Sequence, residues 1–368
     1  MKPSIKTKAV QFVFLGKSLP KYAKASLDLA VRYGGLEVQL LGNSGIKSDV
    51  SSKDVNFIAI EDFYNPTEFL QASSLSLSDK AFRDGFWLKT LERFFVLEQY
   101  FKAADLQTLF HAELDQLLFR NDILVGNLES LENRGVFFPF HSRKEGIASV
   151  FFCNNHESLR SFIDFSMVDA FQNEMTLLGD WAADSPKHVF ALPTLGSVIG
   201  SSPKAFVDQV QEVNHKEIGG IVDAAQLGQW VGGIDPKHVP ISDTPKTKYF
   251  NSSSDRCVSL KQLQKIKFQL NKNDDCLSIN FDGNMPLQVF NLHLHSKAHK
   301  SLSGSDSRMY EFFKWANSDE SRSLRGTRKE QLLDHFWPRL QFFLDDPRRL
   351  IYGLWRRIIR LFNFRQSS

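Results

Sequence analysis

Short apolar runs recur through the first half of the chain, and the stretches between them carry helical spacing. Val10 to Gly16 reads as a buried strand that ends in glycine, Pro20 to Tyr33 has the 3.6-residue periodicity of a helix, and Leu36 to Leu41 is a second strand. This is a βαβ opening. Val55 to Ile60 supplies a third strand, Phe86 to Ala103 a long aromatic amphipathic helix, and Leu106 to Phe110 a fourth strand. Such alternation predicts an α/β fold of Rossmann type, with a mostly parallel sheet and helices on both faces. In sheets of this kind ligands bind beyond the carboxyl ends of the strands.

The pattern continues less regularly. Gly135 to Phe140 and Ala148 to Phe152 read as strands, and helical spacing runs from Glu157 to Phe165 and again from Val168 to Leu178. Residues 243–256 and 301–307 are polar, Ser-rich loops, and no internal repeat is present.

The fourth strand leads into His111, Ala112, Glu113, Leu114 and Asp115. In extended backbone, residues two apart project to the same side, so Glu113 and Asp115 converge on one hard cation or form a solvated strand end, while Leu114 points inward. A second alternating run, Asn291, Leu292, His293, Leu294, His295, Ser296 and Lys297, puts two imidazoles on one side of a strand beside an ammonium group. A neutral imidazole completes a Mn²⁺-type coordination shell begun by carboxylates, and a lysine neutralises charge on a diphosphate. HxH is also an ordinary sheet-surface pair.

Composition limits what these groups belong to. With 368 residues and 42% hydrophobic content, the chain can bury the core of one large domain with appendages. Its 33 phenylalanines serve packing first. Three cysteines, Cys153, Cys257 and Cys276, lack CxxC spacing or a histidine at zinc-finger distance, which points to a reducing cytoplasm. No run approaches the roughly 20 apolar residues of a spanning helix, and the N-terminal run is too short for a signal-peptide core. Net charge is +3, yet Arg339 to Ser368 alone holds seven Arg and two Asp, leaving the rest slightly acidic. A general positive field for nucleic acid is absent, so nucleic acid is not expected as a partner.

With these motifs in place, the chain resembles the GT-A-fold glycosyltransferases that use nucleotide-sugar donors, in particular glycogenin-like and lipopolysaccharide-galactosyltransferase-like enzymes. The likeness spans residues 10 to 300. It rests on a helix carrying Arg93 ahead of the acidic pair, on the late segment Leu292 to Lys297, and on acidic segments at Asn173 to Met175 and Ile221 to Gln229. The resemblance implies Glu113, Asp115 and either His293 or His295 as ligands of Mn²⁺ or Mg²⁺, and Arg93 with Lys297 at the diphosphate. It also implies Glu174 and Asp223 as catalytic groups that orient the acceptor or act as base. The first position of the usual DxD is Glu113, whose extra methylene changes its reach. Without the resemblance, Arg93 pairs with Glu92 or Asp115, and Asp223, Gln226 and Trp230 belong to an ordinary helix that ends at Gly232 and Gly233.

The expected organisation is a catalytic domain over 1–305 and a helical extension over 306–368. In the extension, Asp346 caps a helix with Pro347 at its first position; Leu350, Ile351, Leu354, Trp355, Ile358, Ile359 and Phe362 share one face, and Arg349, Arg356, Arg357 and Arg360 the other. That pattern suits a helix lying on an anionic membrane, or one docked on the domain. The expectation is a cytoplasmic, peripheral-membrane transferase moving a hexose-type sugar from a nucleotide diphosphate sugar to a glycan or glycolipid acceptor. A sugar nucleotidyltransferase or a noncatalytic glycan-binding protein are the alternatives.

Overall fold

The computed structural model describes residues 8–78, 85–142, 144–168, 170–199, 209–232, 258, 260–281, 285–294, 299–302 and 306–318. The chain opens with β1 (Ala9–Phe14), α1 (Lys21–Tyr33), β2 (Glu37–Gly42), β3 (Val55–Ala59), α2 (Thr67–Ser74) and α3 (Phe86–Ala103). Next come β4 (Leu109–Ala112), β5 (Gln116–Leu118), α4 (Asn121–Ser130), β6 (Val136–Phe138), β7 (Phe140–Ser142), β8 (Glu145–Gly146) and β9 (Val150–Cys153). Then follow α5 (His156–Ser166), α6 (Glu174–Asp184), β10 (Val189–Ala191), α7 (Leu195–Val198), β11 (Gln211–Glu212), α8 (His215–Ile218) and α9 (Gln226–Gly232). The last described elements are α10 (Leu260–Leu263), β12 (Lys267–Leu270), β13 (Leu277–Asn280), β14 (Leu287–Val289), β15 (Asn291–His293), α11 (His299–Leu302) and α12 (Asp306–Ala316).

The main sheet has the order β11-β10-β6-β9-β4-β1-β2-β3. All its pairs are parallel except those of β9, which runs antiparallel to both β4 and β6. The described residues between Phe138 and Val150 contain no helix, and a parallel return would require a crossover of a dozen or more residues, so β9 folds back beside β6. The α/β class with a mostly parallel sheet is therefore what the chain adopts.

Period-two alternation sorts the sheet's side chains to two faces. Val10, Phe12, Phe110, Ala112, Val150 and Phe152 pack with α1 and α4. Leu109, Val136, Phe138, Phe151 and Cys153 pack with α3, α5 and α6 on the other face, where edge-on contacts such as Phe94 against Phe151 and Phe162 fill the layer. A smaller three-stranded sheet, β12-β13-β14, has its own core, in which Phe268 stacks on Phe313 of α12.

Two elements begin later than their apolar spacing suggests. β4 starts at Leu109 because α3 closes through a left-handed Asp105 (φ 48°) and a bond from the Leu106 amide to the Phe101 carbonyl, which leaves 106–108 as a connection. α6 starts at Glu174 because the Asn173 side chain accepts from the amides of Met175 and Thr176, while Phe171 is extended and bridges Ser76. The loop over 243–256 and all residues beyond Ser318, including the basic tail, lie outside the described residues.

Candidate metal centre

The strand order changes direction at β1: β2 and β3 extend to one side and β4 lies on the other. The crevice beyond the carboxyl ends of β1 and β4 is thus a topological switch point. Glu113 and Asp115 follow directly on β4, and between them Leu114 is buried in the core beneath β1 and α1. The Glu113 amide donates to the Ser149 carbonyl, and the Gln116 amide donates to the Glu113 carbonyl, so the segment is fixed at both ends.

A second, local pairing brings the histidine. β15 runs antiparallel to β5, with His293 opposite Gln116, and the Leu294 amide donates to the Asp115 carbonyl at 2.8 Å. His293 Nε2 then lies 3.3 Å from Asp115 Oδ1 and 3.4 Å from Glu113 Oε2. One ligand atom from each of Glu113, Asp115 and His293 falls within 4.8 Å of the others. Two carboxylates and one imidazole make a hard-to-borderline donor set that suits Mn²⁺ or Mg²⁺, and these residues fit such an ion.

Without a metal the same geometry holds a proton. Burial pulls the His293 imidazole down, but the charges of Asp115, Glu113 and Asp223 outweigh it, and its pKa is pushed up from 6.5 to about 9. A raised folded-state pKa means that the imidazolium stabilises the metal-free fold fully below pH 6.5 and that this contribution disappears as pH climbs through about 9. A divalent cation needs neutral imidazole, so binding near pH 7.5 should release about one proton. Titrations in two buffers of different ionisation enthalpy read that number directly. Release of no proton at pH 7.5 would exclude an imidazolium at His293 whose proton the ion displaces.

Behind the triad lies a buried polar layer. Arg93 Nη1 pairs with Glu113 Oε1, and Arg93 Nη2 stands 3.6 Å from Glu174 Oε1. Glu174 Oε2 accepts from the Thr90 hydroxyl at 2.8 Å. Burial raises the Glu174 carboxyl above its ordinary value, and the Arg93 charge opposes that shift. Glu92, the neighbour that local spacing offers to Arg93, instead accepts from the Tyr64 hydroxyl. His111 is buried with Nδ1 2.8 Å from the Gln11 carbonyl, and burial together with the Arg93 charge lowers its pKa to about 3, which keeps it neutral.

Asp223 is equally enclosed. Its carboxylate accepts from the amides of Ala225, Leu227 and Gly228, and from the His293 amide at 3.0 Å. Burial pushes its pKa up against the downward pull of the His293, Gly228 and Leu227 amides. Asp223 thereby ties the start of α9 to β15. Asn291 reinforces the tie, donating to Gln116 Oε1 and to the Asp223 carbonyl while accepting from the Asp223 amide. Gly228 allows the close approach, since a Cβ there would stand 2.7 Å from the His293 nitrogen and nearer still to its carbonyl. Trp230 is buried in the core of the smaller sheet.

Of the residues singled out in the sequence, the structure brings together Glu113, Asp115 and His293, with Arg93 and Glu174 behind them. Asp223 contacts the site through the His293 backbone. His295 and Lys297 lie outside the described residues. Sequence reasoning placed Gly228 and Asn291 in the candidate segments but gave neither a role. Asn291 opens the same alternating run as His293, which is a usable signal, whereas nothing local distinguishes Gly228 from the neighbouring glycines.

No family model matches the chain, and no curated protein matches it. Solved structures similar to it include mouse xyloside xylosyltransferase 1 in its apo form, at 9% identity and a TM-score of 0.36 over 50% of this chain and 84% of that one. Another is the glycosyltransferase GlyE of Streptococcus pneumoniae TIGR4, at 12% identity and TM-score 0.32 over 53% and 48%. A third is the galactosyltransferase LgtC with donor and acceptor sugar analogues, at 13% identity and TM-score 0.32 over 56% and 74%. These overlaps cover 50–56% of this chain.

Proposed function

We propose that the chain is a metal-dependent glycosyltransferase of GT-A type that moves a sugar, of hexose type, from a nucleotide diphosphate sugar to a glycan or glycolipid acceptor. One observation carries this: Glu113, Asp115 and His293 converge at the carboxyl end of β4, beside the switch point of a mostly parallel sheet. A Mn²⁺ or Mg²⁺ ion held by these three residues would supply positive charge to a donor diphosphate and to the leaving nucleoside diphosphate. Asp115 and Glu113 would hold such an ion through carboxylate oxygens, and His293 would hold it through Nε2 as a neutral imidazole. Lys297, four residues beyond His293 in sequence, adds a second positive charge for the diphosphate.

Asp223 and Glu174 enter this scheme as positioning residues. Their carboxylates are engaged by backbone amides in one case and by Arg93 and Thr90 in the other. They hold the ligand-bearing segments in register rather than facing an acceptor.

The test is incubation with a panel of nucleotide sugars with and without Mn²⁺, after a thermal-shift screen for donors that stabilise the protein. Mn²⁺-dependent release of a nucleoside diphosphate supports transfer. Pyrophosphate chemistry would replace it with the nucleotidyltransferase alternative, and binding without turnover with the glycan-binding one.

The basic tail extends the proposal to place. An amphipathic Arg-rich segment over 347–368 would hold the enzyme on an anionic, cytoplasmic membrane face where lipid-linked acceptors are built. Truncation after Asp346 should abolish pelleting with phosphatidylglycerol vesicles while sparing turnover on a soluble acceptor. Undiminished pelleting would locate any membrane contact elsewhere. No helix among the described residues is long and apolar enough to cross a membrane.

A further inference from the structure

Glu113 departs from the aspartate usual in its motif, and its surroundings suggest what the longer side chain is for. One carboxylate oxygen, Oε1, is taken by Arg93 Nη1, while the other, Oε2, faces His293. Arg93 has little freedom to let go. Its side chain is only 8% exposed, its guanidinium carbon lies 5.1 Å from the Phe94 ring centroid, and Glu174 faces its other terminal nitrogen. Glu174 is in turn held by Thr90, one turn before Arg93 on α3, and sits in the first turn of α6. Thr90, Glu174, Arg93 and Glu113 thus form a continuous chain of contacts that ends at the cluster of Glu113, Asp115 and His293.

A carboxylate held through one oxygen by an arginine presents its other oxygen to a cation first, because the guanidinium occupies one lone pair and repels a second positive charge there. Ca²⁺ takes roughly 6–8 oxygens and often binds a carboxylate through both, whereas Mg²⁺ and ions of similar demand accept one oxygen from each of one or two carboxylates. We propose that Arg93, locked by Glu174, is a specificity-determining residue: it confines Glu113 to single-oxygen ligation and so disfavours Ca²⁺ relative to Mn²⁺. This rests on the metal reading given above and names the selectivity of that same site. The guanidinium's planar fork matters, because it spans two carboxylates at once, and a lysine ammonium of equal charge lacks that geometry.

The measurement is the ratio of Ca²⁺ to Mn²⁺ dissociation constants, by calorimetry on the full chain. A ratio is needed because moving charge around Glu113 shifts the affinity for every divalent cation together. Two variants are compared with the wild type. Arg93→Met combined with Glu174→Gln removes the buried charge pair together, which avoids stranding one charge. Arg93→Lys keeps the charge and loses the fork. Both should narrow the ratio by about tenfold, the scale of outer-shell effects on metal sites, with melting curves confirming that each variant is folded. An unchanged ratio in the Arg93→Met/Glu174→Gln variant would overturn the tether, and narrowing there but not in Arg93→Lys would overturn the requirement for the guanidinium fork. Absence of Mn²⁺ binding by the wild type would instead remove the metal reading itself, and this proposal with it.

Discussion

Asp115→Asn should remove calorimetrically detectable Mn²⁺ binding while the protein stays folded. Asp115 Oδ1 is 3.3 Å from His293 Nε2, and the Asp115 carbonyl accepts from the Leu294 amide, a backbone bond that the substitution leaves in place. The variant therefore keeps the register of β15 on β5 and loses one anionic ligand. An amide oxygen coordinates a divalent ion far less strongly than a carboxylate, so the loss should exceed the roughly 10–100-fold typical of outer-shell partners. Nucleoside diphosphate release should fall in parallel if the proposed transfer is correct. The substitution also takes away the largest influence raising His293, so the imidazole should titrate lower than in the wild type. Mn²⁺ affinity unchanged in the variant would exclude Asp115 as a ligand.

Gly228→Ala should damage the same site without replacing any of its three side chains. The added methyl would press into the His293 backbone, whose carbonyl group lies inside contact distance, and backbone cannot swing aside as a side-chain tip can. Either α9 lifts away from β15 or β15 slides on β5. Overpacking of this kind costs about 1–3 kcal/mol. Either movement also strains the bonds from the Gly228 and His293 amides to Asp223, and displaces His293 from Asp115 and Glu113. Mn²⁺ affinity and melting temperature should both fall. Gly45→Ala is the control, because a Cβ there meets nothing within 4 Å, and a surface change of that type stays within about 0.5 kcal/mol. Equal effects of the two substitutions would show that the contact on His293 is not what holds the site.

Both expectations concern the same design. The three candidate ligands come from two segments separated by nearly half of the chain, and they meet only because backbone pairing sets them side by side. Asp223, Asn291 and Gly228 secure that pairing from one side, and Arg93 with Glu174 secures the Glu113 carboxylate from the other. The carboxylates of Asp223 and Glu174 are occupied by amides, Arg93 and Thr90, which is what a preorganised site requires, while Arg93 Nε, His111 Nε2 and Gln116 Nε2 are buried without a hydrogen-bond partner among the described residues.

The βαβ opening and its periodicities were legible from the amino-acid order alone, since a strand's period of two and a helix's period of 3.6 are local properties. The same locality made Glu113 and Asp115 recognisable as a convergent pair, and Leu114 is indeed buried between them. Element starts were less legible, as at β4 and α6, because a cap or a left-handed turn overrides apolar spacing. Tertiary structure alone decided that His293 meets the carboxylates, that Arg93 turns to Glu113 and Glu174 and away from Glu92, and that Asp223 is spent on backbone amides. Each of these contacts joins residues distant in sequence or chooses between neighbouring partners, and no local pattern encodes that choice. It follows from which strands pair and which faces are buried, a balance of free energy settled over the whole fold at once.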